Sequence, residues 1–172
     1  MPTDVLVVIP TIRPSSQRYQ LVNQLEVDPM VSTVIMVDNG NNLNLKALAS
    51  CSKVQVFRPE FNLNWLKSCN VGARIAIKRQ VNFVCWLNDD VRLSPAFFTG
   101  LLAAYTPDCG VIGPSYTGDL NPQLKTNQPV PEDLELDYVD GTCMLVPVPV
   151  LEQVGLLDEH FRPPGWGADL DF

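Results

Sequence analysis

The sequence predicts an α/β fold, with a mostly parallel central sheet and helices on both faces. Three observations predict it. Short apolar runs recur along the chain at Asp4 to Ile9, Val31 to Val37, Val54 to Phe57 and Phe83 to Leu87. They are continuous rather than alternating, as in strands buried on both faces. Helix-like stretches lie between them, and strands that alternate with helices build parallel sheets. The 172 residues suit one domain, and 46% hydrophobic against 18% charged residues supplies a sizeable core.

The first strand ends at Pro10. Ser15 or Ser16 is placed to cap a helix continuing through Tyr19, Leu21, Val22 and Leu25. The second strand closes in Asp38-Asn39-Gly40, a turn signature. A short helix is expected over Leu43 to Ala49, and Pro59 stops the third strand. Asn64 starts a longer helix, with Trp65, Cys69, Ala73 and Ala76 near one face. After the fourth strand, Pro95 suits the first turn of a helix through Phe98, Leu101 and Leu102. Residues 113–131 read as a long loop that holds Pro114, Gly118, Pro122 and Pro129 among polar residues. Tyr138 to Val146 returns to strand, and Val148 to Val154 forms a short helix after Pro147.

The net charge of −7 argues against nucleic acid or an anionic membrane surface as partner, since both need a basic face. A single diphosphate stays compatible, because a bound cation supplies positive charge locally. The five cysteines are odd in number and widely spaced, so neither a disulfide framework nor a zinc site is expected. Cys85 and Cys143 read as buried thiols, and a reducing, cytoplasmic setting fits. No transmembrane segment or signal peptide is visible, Val5 to Ile9 being far too short to span a bilayer.

In open parallel sheets, ligands bind beyond the carboxyl ends of the strands, where the strand order switches. Strand one here ends in Pro10-Thr11-Ile12-Arg13, strand two in Asp38-Asn39-Gly40 and strand four in Asn88-Asp89-Asp90. Asp38 can accept a hydrogen bond from a base imide, and Asn39-Gly40 lets a base approach the backbone. Asp90 offers the hard oxygen that Mg²⁺ or Mn²⁺ prefers. Alone, each of these is also ordinary turn chemistry. Arg13 divides evenly between contact with a diphosphate and a surface salt bridge.

Six stretches in order carry a resemblance: VLVVIPTIRPS, VIMVDNGN, FNLNWLKSCNVGA, WLNDDV, DGTCMLVPVPVLEQVGLLDEHF and GWGADLDF. Together they resemble the family 2 nucleotide-sugar glycosyltransferases, which have the Rossmann-like GT-A fold. The resemblance implies that Pro10, Thr11 and Asp38 line a nucleobase pocket, with Asn39 beside them, and that Asn70 faces the nucleoside. Asn88-Asp89-Asp90 stands where the family has Asp-x-Asp, so Asn88 would touch the ribose and Asp90 would hold Mg²⁺ or Mn²⁺. Gly141 falls on a strand near the acceptor. Asp169 matches the aspartate of a Glu-Asp motif, the catalytic base. The implied reaction is inverting, metal-dependent transfer of a hexosyl or deoxyhexosyl group from a nucleotide-diphosphate sugar to a glycan or lipid-linked glycan acceptor; Asp38 makes uridine or deoxythymidine the default base, with guanosine as the alternative.

Two departures accompany the match. Asn88 keeps hydrogen bonding but removes a charge, and Ala168 replaces the Glu of Glu-Asp, which leaves Asp171 as a substitute base. Trp65 and Trp86 read as core, Trp166 as an acceptor-side wall or a packing residue, and His160 as part of a surface turn. The family continues beyond the position of Phe172. A nucleotide-binding part over about 1–113 is therefore expected with an incomplete acceptor-side part over about 114–172, binding nucleotide better than it turns over sugar. One rival is a sugar-1-phosphate nucleotidyltransferase, against which Pro10-Thr11-Ile12-Arg13-Pro14 is a poor phosphate cradle. The other is a degenerate nucleotide- or carbohydrate-binding module.

Overall fold

The computed structural model describes residues 4–115, 135–136, 138–162 and 167–172, the side chain of Leu170 excepted. Five strands form one sheet: β1 (Val5–Thr11), β2 (Val31–Asp38), β3 (Val54–Phe57), β4 (Phe83–Leu87) and β5 (Cys143–Pro147). Six helices accompany them: α1 (Gln17–Val27), α2 (Leu45–Leu48), α3 (Asn64–Arg79), α4 (Phe97–Ala103), α5 (Val148–Val154) and α6 (Ala168–Asp171). The strand order is β3-β2-β1-β4-β5, in which β1 to β4 run parallel and β5 pairs antiparallel with β4. The chain builds outward from β1 to β3, then returns to place β4 on the other side of β1. That return puts the switch point between β1 and β4.

The continuous apolar runs serve both faces, because neighbouring residues of a strand point to opposite sides. Val5, Val7, Ile9, Cys85 and Leu87 pack with Leu21, Val22 and Leu25 of α1 and Phe98 of α4. Leu6, Val8, Val84 and Trp86 pack with Leu66, Cys69, Ala73 and Ala76 of α3 and Leu151 of α5. The small residues of α3 let it lie close to β1. At Gly72 an added Cβ would overlap Val8 Cγ2. Val8 is fully buried and β-branched, so its side chain has little freedom to move aside. Gln80 ends α3 in the left-handed region at φ 56°, and Lys78 and Arg79 in the last turn favour the negative end of the helix dipole.

Two of the boundaries that differ from the sequence expectation have a visible backbone cause. The helix expected from Pro95 begins at Phe97, because Ala96 takes φ 54° and interrupts helical geometry between them. The strand expected from Tyr138 begins at Cys143. Asp140 Oδ1 accepts a hydrogen bond from Thr142 N–H at 2.9 Å, which makes a turn of this segment just before it meets β4. The cap of α1 comes from Ser15, whose Oγ accepts from Gln17 N–H at 3.2 Å, while Ser16 makes no side-chain cap bond. The loop expected over 113–131 lies outside the described residues from 116 onward, as does Trp166.

Cys85 and Cys143 are buried free thiols with sulfurs 3.8 Å apart. Burial pushes the Cys85 and Cys69 thiols well above their ordinary range, which disfavours the reactive thiolate. Among the described residues no helix is long and apolar enough to cross a membrane.

A polar clamp ties α3 to the segment after α5. The Asn70 amide donates to Leu157 C=O at 2.8 Å and to Glu159 Oε1 at 3.0 Å, and its oxygen accepts from Leu157 N–H at 3.1 Å. Arg74 Nη2 reaches Glu159 Oε1 at 2.8 Å. The bonds from Arg74 and Asn70 hold the Glu159 carboxyl below the usual glutamate range. A depressed folded value stabilises the protein above the unfolded pKa, and that contribution disappears as pH falls through the folded value. Glu159→Gln is therefore expected to lower stability near neutral pH by about 1 kcal/mol or less, since the pair is partly exposed. The difference from wild type should vanish once pH drops well below 4.5 in denaturant titrations. Gly72→Ala is expected to cost about 1–3 kcal/mol through overpacking, measured as a fall in thermal midpoint.

Candidate functional site at the switch point

The C-terminal ends of β2, β1 and β4 lie side by side, and parallel pairing sets Thr11 of β1 opposite Asp38 of β2. The loop after β2 is folded by one buried carboxylate. Asp38 is 1% exposed. Its Oδ1 accepts from Asn42 N–H at 3.0 Å, and its Oδ2 accepts from Leu43 N–H at 3.2 Å and from Arg58 Nε at 2.9 Å. Arg58 Nη2 also donates to Leu43 C=O at 3.0 Å. The sequence reading offered Asp38 as a direct acceptor for a base. In the structure its carboxylate is turned into the protein, with both oxygens engaged in closing the loop.

The closed loop presses on its neighbours. At Gly40 an added Cβ would overlap Ile12 C=O and Asn42 Nδ2, so no side chain fits there. Asn39 N–H donates to Thr11 C=O at 2.9 Å. Its side chain accepts from Leu63 N–H at 2.9 Å and donates to Ser68 Oγ at 3.0 Å, which fixes the start of α3 against β2. Asn42 Nδ2 donates to Ile12 C=O at 2.7 Å, and Asn42 Oδ1 accepts from Arg18 Nη1 at 2.9 Å.

The loop after β4 is held from two directions. Asn88 accepts from Trp65 Nε1 at 3.0 Å, and its backbone N–H donates to Thr142 C=O at 3.0 Å. Asp89 Oδ2 lies 2.9 Å from Arg18 Nη2, an ion pair by distance whose N–H direction misses hydrogen-bond geometry. Asp90 is exposed and has no partner among the described residues. Arg13 is likewise exposed, and the surface salt bridge that was one of its two expected roles is not formed among the described residues. Pro10 is half-buried, and Thr11 is 2% exposed with an Oγ1 that has no partner among the described residues.

The C-terminal segment reaches the same rim. Asp169 Oδ2 accepts from Gly141 N–H at 3.0 Å. A Cβ placed on Gly141 would stand 3.1 Å from Asp169 Oδ2 and 3.3 Å from Trp65 Cη2. Trp65 thus donates to the Asn88 turn and lies beside Gly141, whose N–H is bonded to Asp169. Ala168 is 1% exposed and packs on the α3 side of the sheet, so a glutamate at this position would bury a carboxylate in an apolar cluster. Asp171 is exposed. Phe172 packs edge-on against Trp86 at a centroid distance of 5.2 Å and anchors the end of α6.

Most of the sequence-predicted residues are therefore gathered at the switch point: Pro10, Thr11, Arg13, Asp38, Asn39, Asn88, Asp89 and Asp90, with Asp169 across Trp65 and Gly141. Asn70 is not among them. It is buried, and its amide is committed to the clamp on Leu157 and Glu159. Trp86 is core at 0% exposure, but Trp65 is half-buried and works at the rim. His160 is exposed, with Nδ1 2.7 Å from Asp158 Oδ1, and fits a surface turn. The sequence reading missed Arg18, Asn42 and Arg58. Arg18 carried a signal, since it shares the helical spacing of Leu21, Val22 and Leu25 and so puts a charge on the buried stripe of α1.

Among the described residues no three His, Cys, Asp or Glu side chains gather as a metal cluster. A cation that is held mainly by a diphosphate needs one or two protein carboxylates, and Asp90 is a carboxylate without a partner among the described residues.

No protein-family profile matches the sequence. Proteins of Mycobacterium bovis and Mycobacterium tuberculosis, each named as uncharacterized, are 26% identical over 176 residues, covering 97% of this chain. The chain spans 65% of the length of these relatives. Among solved structures, Staphylococcus aureus TarS matches 98% of this chain and 32% of its own, at 15% identity and a TM-score of 0.70. Its 1–349 portion in complex with UDP covers 98% of this chain and 53% of its own, at 15% identity and 0.69. GalNAc-T7, solved with UDP, GalNAc and Mn²⁺, covers 93% of this chain and 37% of its own, at 14% identity and 0.69. The mostly parallel sheet with its antiparallel edge strand β5 thus has the GT-A fold.

Proposed function

We propose that the chain is the donor-binding core of an inverting, metal-dependent glycosyltransferase that uses a nucleotide-diphosphate sugar. The observation that carries this reading is the convergence at the switch point of Asp90, Arg13 and the Thr11 hydroxyl, none of which has a partner among the described residues, with Asp169 across the same rim. Inverting transfer needs a base for the acceptor hydroxyl, positive charge near the leaving diphosphate, and a donor held in line. Asp169 takes the proton from a glycan or other hydroxyl acceptor. Arg13 contacts the diphosphate. The nucleoside lies over Pro10, Thr11 and the backbone of Asn39, with Asp38 shaping the pocket from beneath. Asn88 touches the ribose. Asp90 would hold Mg²⁺ or Mn²⁺, which when bound neutralises charge on the departing diphosphate.

Two features favour a second reading, a binding module that has lost turnover. Asn88 and Ala168 each remove a carboxylate from the motifs that the resemblance identifies.

Calorimetric titration of uridine diphosphate, with and without Mn²⁺, tests the donor site. Binding is expected to need Mn²⁺ and to weaken by about tenfold or more in Asp90→Ala, a loss of about 1.4 kcal/mol. Metal-independent binding untouched by that substitution would remove Asp90 from the site. Hydrolysis of the uridine diphosphate sugar without acceptor separates enzyme from module. Asp169→Asn is expected to lower turnover about 10²–10⁴-fold with donor affinity retained. A wild type that binds but never hydrolyses or transfers would favour the module.

A further inference from the structure

The buried guanidinium of Arg18 is the costliest side chain that no role above explains. It is 1% exposed, and it brings a cationic side chain into the core. Nη1 donates to Asn42, Nη2 lies beside Asp89, and Nε has no partner among the described residues. Burying an ion with incomplete hydrogen bonding is expensive, and a Leu or Met on this stripe of α1 would pack beside Leu21 and Leu25 without that expense.

What the guanidinium does is join two loops. Through Asn42 it grips the loop after β2, which is itself bonded to Ile12 C=O and to Asp38. Through Asp89 it grips the turn after β4. The Asp89 side chain is 23% exposed, while its neighbour Asp90 is exposed and without a partner among the described residues. Of two adjacent carboxylates, one is drawn inward and neutralised, and the other is left facing out.

We propose that Arg18 is a positioning residue for the donor site, holding Asp89 inward so that Asp90 alone is presented to the diphosphate and its cation, in fixed register with the loop after β2. The effect on ligand rests on the glycosyltransferase reading; the effect on the turn does not. A lysine cannot replace it fully, because one ammonium lacks the planar fork that reaches Asn42 and Asp89 together.

The test combines amide hydrogen exchange with uridine diphosphate titration on wild type, Arg18→Met, Arg18→Lys and Asp89→Asn. In Arg18→Met, exchange at residues 88–92 is expected to rise on the order of tenfold while the amides of β1 and β2 keep their protection. Affinity measured in Mn²⁺ should fall on the order of ten- to a hundredfold, as expected for a misplaced ligand group. Arg18→Lys should fall between the two. Asp89→Asn should loosen the same turn, which keeps the test decisive where Arg18→Met fails to fold. Unchanged exchange at 88–92 in Asp89→Asn and in a folded Arg18 variant would overturn the proposal. So would loosening spread evenly over β1 and β2, which would mark Arg18 as general packing. A loosened turn in a protein whose wild type binds no nucleotide would uphold the positioning role and defeat the glycosyltransferase reading instead.

Discussion

The buried carboxylate of Asp38 sets the geometry on which the rest of the rim depends. β2 ends where β1 ends, with Thr11 opposite Asp38. A parallel strand must then turn away, and its backbone N–H groups lose their partners. Asp38 recovers two of them, from Asn42 and Leu43, and takes Arg58 as counter-ion. The returning loop is tight enough to demand glycine at position 40. It also places Asn39 against the start of α3 and Asn42 against Ile12 and Arg18. Three loops from three strands share one frame because a single acid was buried with its hydrogen bonds satisfied.

Charge at the rim is sorted by pairing. The chain carries a net −7, yet two of its acids at the site are neutralised internally, Asp38 by Arg58 and Asp89 by Arg18. Asp90 and Arg13 are left exposed without partners among the described residues. An anion and a cation left free beside a buried, orphaned hydroxyl form a surface that suits a ligand bearing phosphate and metal together. On the far side, Trp65 links this surface to Asp169 by donating to Asn88 and packing at Gly141. Its indole offers a rigid apolar body and one directed donor, which a flexible polar side chain could not combine.

Much of this was legible in the sequence, and the reasons are specific. β3 and β4 have the bounds expected of them, because bounded apolar runs leave no alternative register. The switch point followed from polar residues ending each run. The less legible parts depend on tertiary partners. β5 starts at Cys143 because that residue meets the end of β4 at Leu87, a fact of pairing that composition does not carry. Trp65 looks like core at helical spacing until Asn88 appears beside its nitrogen. Asn70 sits at the same spacing as a ligand-facing residue of the resembled family, yet its amide finds Leu157 and Glu159, residues far along the chain. Arg18 was visible as a charge on an apolar stripe, although its meaning needed Asp89.

The most direct measurement is anomalous diffraction at the manganese edge from crystals grown with uridine diphosphate and Mn²⁺. The proposed site predicts one manganese peak about 2.1 Å from an Asp90 carboxylate oxygen, with the nucleoside over Thr11 and Asn39 and Asp89 still paired to Arg18. A peak ligated by Asp89 with Arg18 displaced, or nucleotide bound away from the ends of β1 and β4, would contradict it.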